Sequence, residues 1–94
     1  MSETKMDEAT ETRRKRLLYQ SAHRGTKESD LLLGAFAAAH LSAFTPAQLD
    51  TYEAMLNEND GDLFDWVTGR AAPPPEKMSD VLQLLLRFRY PGAV

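Results

Sequence analysis

Apolar residues recur along this chain at helical spacing, and their pattern predicts five helices and no strand. The first runs from about Thr12 to His23. Its stripe is thin, chiefly Leu17, Leu18 and Ala22, so it belongs at the edge of a core. The second runs from about Lys27 to Ala43 and carries Leu32, Leu33, Phe36, Ala37 and Leu41, with Ala35, Ala38 and Ala39 around them. A helix apolar on most sides is the central one of a small bundle. The third has the clearest start: Thr45 as N-cap, Pro46 in the first turn and Gln48 completing a capping box. Leu49, Tyr52 and Leu56 follow, with Met55, until Asn57 to Gly61 breaks the pattern. The fourth is short, from about Gly61 to Thr68, capped by Asp60 or Asn59 and stopped by Gly69, with Asp62 complementing its positive end. Pro73-Pro74-Pro75 is a stiff extended spacer. The fifth runs from about Glu76 to Tyr90, with Met78, Val81, Leu82, Leu85 and Phe88 as its buried face, and Pro91-Gly92 ends it. The expected fold is a single all-α domain, a five-helix bundle over residues 12–90. Residues 1–11, polar and acidic, are expected as a disordered tail, and 91–94 as a C-terminal tail.

Ninety-four residues suffice for one domain and no more. A chain of this size buries about 60–65% of its unfolded surface, so it is marginal but able to fold alone. There are 0 cysteines, which excludes disulfides, thiolate metal sites and cysteine nucleophiles. Packing must hold the fold. No apolar run approaches the roughly 20 residues of a membrane span. Residues 1–11 have neither a secretory apolar block nor an Arg-rich, acid-poor character. These features suggest a cytoplasmic address. The net charge of −3 argues against nucleic acid as the default partner.

The chemistry concentrates at Arg24-Gly25-Thr26-Lys27-Glu28-Ser29-Asp30, a charged corner between the first two helices. An ordinary turn needs fewer charges. Gly25 sits where a left-handed residue is wanted after the first helix. The plain alternative is that Gly25 only ends a helix, while Glu28 and Asp30 only complement the positive end of the next. A recognition surface is the sharper alternative. Arg24 offers a planar fork of donors for a carboxylate or carbonyl, Glu28 offers acceptors, and bare backbone at Gly25 admits close approach.

The order R-G-x-x-E-x-D, then Asp60-Gly61-Asp62-Leu63-Phe64-Asp65-Trp66, resembles the small assembly factors of succinate dehydrogenase. The resemblance spans roughly residues 13–90. It implies a non-catalytic chaperone that binds the flavoprotein subunit of succinate dehydrogenase, or of a related fumarate reductase, and promotes its covalent FAD attachment. On this resemblance FAD is attached to the partner, no cofactor is bound by the factor itself, and the free protein is a monomer. Because eukaryotic members work in mitochondria, the lack of a presequence favours a bacterial protein. Arg24, Gly25, Glu28 and Asp30 would be the partner-binding residues, with support from Arg16 and Trp66.

Three features are weighed beside that expectation. Arg13-Arg14-Lys15-Arg16 suggests a small nucleic-acid binder or regulator, but successive helical residues step by about 100° and spread around the axis. The run is otherwise a solvated helix turn, or a positive cluster that speeds encounter with an acidic partner. Trp66 is either a core aromatic or an interface anchor. His23 and His40 have no second ligand at metal spacing. No serine stands in a nucleophile-elbow setting and no glycine-rich phosphate loop is present, so an independent active site is not expected.

Overall fold

The computed structural model describes residues 2–88, and side chains from residue 9 onward. It contains α1 (Ser2–Ala22), α2 (Lys27–His40), α3 (Pro46–Met55), α4 (Asp60–Thr68) and α5 (Asp80–Arg87), with single 3-10 turns at Leu41–Ala43 and Pro75–Lys77. The all-α expectation holds. At α3 the local signals act as read: Thr45 Oγ1 accepts the Gln48 N–H at 3.2 Å and Gln48 Oε1 accepts the Thr45 N–H at 3.0 Å. Asn59, not Asp60, caps α4, and Gly69 ends it with φ +81°.

Other boundaries differ. The helical path begins at Ser2, so the expected tail over 1–11 is part of α1 from Ser2 onward. Its Glu, Lys, Met and Ala residues favour helix, and neither glycine nor proline interrupts them. The last helix starts at Asp80, because Ser79 Oγ accepts the Leu82 N–H at 3.0 Å and sets a new N-cap after the proline spacer. Met78 therefore precedes the helix and is exposed, whereas Val81, Leu82 and Leu85 are buried as expected. Tyr90, Pro91-Gly92 and the 91–94 tail lie outside the described residues.

The core is organised on Phe36 of α2. Its ring lies 5.8 Å from Tyr52 of α3, 6.3 Å from Phe44 and 5.5 Å, edge-on, from Phe88. Leu17, Leu33, Leu49, Leu63, Val81 and Leu85 complete it, each contributing about 1.5–3 kcal/mol relative to exposure. The α2 helix is central but not enclosed, since Leu31, Ala38 and Ala39 face solvent. It packs closely on α1: a Cβ at Gly34 would lie 3.2 Å from that of Ala22.

On α1 the buried partner of Leu17 is Ser21, not Leu18, which is exposed. Spacing of i, i+4 puts Ser21 beneath α3, and its hydroxyl has one partner on its own helix and one on α3. Ser21 Oγ lies 2.7 Å from the Leu17 carbonyl, to which it donates, and 2.5 Å from the Tyr52 hydroxyl. One proton serves one bond, so Tyr52 is the donor to Ser21. Burial pushes the Tyr52 phenol up to about 12, the nearby charge of Arg24 offsetting part of the rise.

An unfolded chain releases this proton near pH 10, while the folded chain holds it to about 12. Stability is therefore expected to fall between roughly pH 10 and 12, by about 2–3 kcal/mol. Urea unfolding across that range should show the loss in the native chain and a much flatter dependence in Tyr52→Phe. An equal slope in both would remove Tyr52 as the cause.

Candidate docking site

The corner between α1 and α2 is held from two sides. From α2, Asp30 Oδ1 accepts the backbone N–H of Arg24 and that of Gly25, the latter at 3.2 Å. Thr26 caps the helix, its Oγ1 accepting the Ser29 N–H at 3.2 Å. From below, the Arg24 side chain reaches the connection between α3 and α4. Its guanidinium donates to the carbonyls of Leu56 at 2.6 Å and Glu58 at 2.9 Å. Nε donates to Asp60 Oδ1 at 2.8 Å, in an ion pair whose side chains are 15% and 19% exposed. Leu56 is the C-cap residue of α3, so one of these bonds satisfies a carbonyl at a helix end, where intrahelical partners run out.

This arrangement corrects two expectations. Arg24 does not present a free fork, because each of its three guanidinium nitrogens donates to an acceptor inside the fold. Asp30 likewise serves the corner itself. Gly25 and Glu28 do face outward. Gly25 has φ +117°, is exposed, and a Cβ built there would meet nothing within 4 Å. Glu28 is exposed in the first turn of α2 and makes no side-chain bond among the described residues.

Trp66 belongs to the fold, whereas Arg16 remains exposed and makes a surface ion pair. Trp66 is buried and joins the core beside Leu63, while Phe64 is only half-buried. Four residues of so short a helix cannot all face one core, and positions 63 and 66, one turn apart, take the inner side. Arg16 Nη1 lies 3.1 Å from Glu53 Oε2, and Arg13 bonds both Glu53 at 2.9 Å and Asp50 at 2.6 Å. Arg14 donates to the carbonyls of Leu41 and Phe44, each at 2.9 Å, and pairs with Glu11. The basic run thus staples α1 to α3 and to the 3-10 turn, and Lys15 is the member left exposed without a bond among the described residues. Bonds from Arg16 and then Arg13 hold the Glu53 carboxyl below its usual range.

Beside the corner lies a shallow groove of about 370 Å³ between α1 and α3, lined by Tyr19, Gln20, His23, Arg24, Glu53, Leu56 and Asn57. Tyr19, 64% exposed, stacks on His23 with ring centroids 3.9 Å apart. His23 Nδ1 lies 2.8 Å from the Tyr19 carbonyl and must donate to it. His40 is a packed residue, stacked on Phe44 and set against Phe36 and Phe88. No group of three or more His, Cys, Asp or Glu suited to a metal occurs among the described residues, and no helix there is long and apolar enough to cross a membrane.

The Arg24–Asp60 pair joins the two motifs first singled out in the sequence, R-G-x-x-E-x-D and D-x-D-L-F-x-W, at one place. The stretch that contains both, residues 15–89, matches the family described as Sdh5, flavinator of succinate dehydrogenase. The chain belongs to that family. Among curated proteins it is 46% identical over 88 residues to the Candida glabrata protein named succinate dehydrogenase assembly factor 2, mitochondrial, covering 89% of this chain and 58% of that one. It is 46% identical over 81 residues to assembly factor 2-A, mitochondrial, of Drosophila ananassae, covering 84% and 52%. Assembly factor 2-B, mitochondrial, of Drosophila melanogaster is 44% identical over 81 residues. The chain spans about half to three-fifths of the length of these relatives. The bacterial cytoplasmic address expected from residues 1–11 does not stand, because these relatives are named mitochondrial. With so much of the relatives' length unmatched, the composition of one short stretch carries no address.

Removing Glu53 deprives Arg13 and Arg16 of a shared partner, and Glu53→Ala should lower stability by roughly 0.2–1 kcal/mol per exposed pair. The effect should shrink at high salt. Because the folded carboxyl is held low, its contribution is present above about pH 4.3, the unfolded value, and fades as pH falls below that. Thermal melts at two salt concentrations would check this, and a salt-independent loss would contradict it.

Proposed function

We propose that this chain is an assembly factor which binds the flavoprotein subunit of succinate dehydrogenase and promotes its covalent FAD attachment. The family match over residues 15–89 carries the proposal, and the names of the relatives support it. The exposed corner at Gly25 and Glu28 supplies the grip. Backbone without a side chain lets the partner's own backbone approach, and the Glu28 carboxylate accepts from its donors. The factor acts as a chaperone: it holds the partner in the productive arrangement and takes no part in the bond formed. Fixing a near-attack geometry in this way can remove several kcal/mol from a barrier. FAD stays with the partner, the flavoprotein subunit of succinate dehydrogenase or of a related fumarate reductase. The factor is a monomer when free. The basic run offers nucleic acid no continuous face, since Arg13 and Arg14 are tied to α3 and the 3-10 turn and Arg16 pairs with Glu53 at the surface.

Gly25→Leu strains the left-handed turn and fills the bare approach. Gly69→Leu strains a comparable turn at the far end of α4, where a Cβ likewise meets nothing. Each costs on the order of 1–2 kcal/mol. When the succinate dehydrogenase flavoprotein subunit is co-expressed with each variant, covalent flavin fluorescence of the denatured subunit should drop to background with Gly25→Leu. It should persist with Gly69→Leu. Undiminished fluorescence with Gly25→Leu would rule out the corner.

A further inference from the structure

The corner and the α3–α4 connection lie 32 to 36 residues apart in sequence, yet one side chain, Arg24, ties them together. We infer that Asp60 is a positioning residue for docking, acting through Arg24, and that Arg24 has the same role rather than that of a contact. The inference rests on the corner being the docking surface.

Its basis is the order of the bonds. The two backbone N–H groups at the corner hang from Asp30 on α2, and that anchor alone leaves the turn free to pivot about one carboxylate. The second anchor is the Arg24 side chain, a strut whose far end is fixed at α4 by Asp60. Among the described residues Asp60 is the only anionic acceptor on that guanidinium, the other two being carbonyls. Without Asp60, a guanidinium 15% exposed keeps its charge but loses its counter-ion, and the gain from swinging outward rises. The carbonyls of Leu56 and Glu58 are then released together. Gly25 samples more backbone states, and a partner that fits one of them binds in proportion to its population. The central ring cluster of Phe36, Tyr52 and Phe44 does not take part in these bonds, so loosening the corner should leave the core intact.

The test uses the full chain with Asp60→Leu, Asp60→Asn and Arg24→Lys. Titration with the succinate dehydrogenase flavoprotein subunit measures docking, and amide hydrogen exchange measures the corner against the core. Asp60→Leu should weaken docking roughly tenfold or more, a loss of about 1.4 kcal/mol per decade. It should speed exchange at Arg24 and Gly25 while the amide of Tyr52 stays protected. Asp60→Asn keeps an oxygen for Arg24 Nε but removes the counter-ion, and should fall between the native chain and Asp60→Leu, since a bond to a neutral acceptor is roughly half as strong. Arg24→Lys cannot span three acceptors and should show the Asp60→Leu pattern, which decides the matter if Asp60→Leu fails to fold. Native docking by Arg24→Lys or Asp60→Leu with the corner loosened would overturn the inference. So would lost docking in Asp60→Asn with amide exchange at Arg24 and Gly25 unchanged, since Asp60 would then meet the partner directly. If Gly25→Leu abolishes docking while the Asp60 variants do not, only this inference fails. If none of the variants matters, the docking surface lies elsewhere.

Discussion

A single guanidinium ties the upper end of this small protein together. Arg24 bridges the corner before α2 and the connection before α4, bonding two backbone carbonyls and the Asp60 carboxylate at 2.6 to 2.9 Å. Arginine suits the task because its donors form a rigid planar fork and its charge is permanent. A lysine has the charge without the fork. The bonds are partly buried, where an unpaired partner costs more than in open solvent. The result is a turn whose backbone is exposed yet held in one conformation.

That division of labour accounts for the crowd of charges at the corner. Arg24 and Asp30 face inward and fix the turn; Gly25 and Glu28 face outward and are left for a partner. Both groups were legible as one motif, because the residue types that recognise carboxylates and carbonyls between proteins also do so within one. Which of them turn inward was not legible. Two of the acceptors on Arg24 are main-chain carbonyls, and every residue carries one. The third, Asp60, lies in the second motif, so the co-occurrence of the two motifs was the available signal.

Elements set by local chemistry were read correctly: the Thr45 and Gln48 capping box, the stop at Gly69, the apolar face of α5 from Val81 to Leu85. Where tertiary partners overrode a local rule, the reading slipped. Ser21 displaced Leu18 from the core because Tyr52 and the Leu17 carbonyl satisfy its hydroxyl. Ser79 moved the start of α5 past Met78, since Met78 fits the apolar spacing but a serine cap sits after it. Trp66, open between core and interface in the sequence, lies in the core because it shares one face of α4 with Leu63, one turn away. The basic run was rightly seen as unable to line one groove, but its use as staples to α3 depends on Asp50 and Glu53, far along the chain.

The most direct measurement is the pattern of amide chemical-shift changes in this chain as the succinate dehydrogenase flavoprotein subunit is titrated in. A docking corner preformed by Arg24 predicts changes concentrated at residues 23–28, with the amides of α5 undisturbed. Changes centred on α5 or on the basic run, with Gly25 and Glu28 silent, would contradict it.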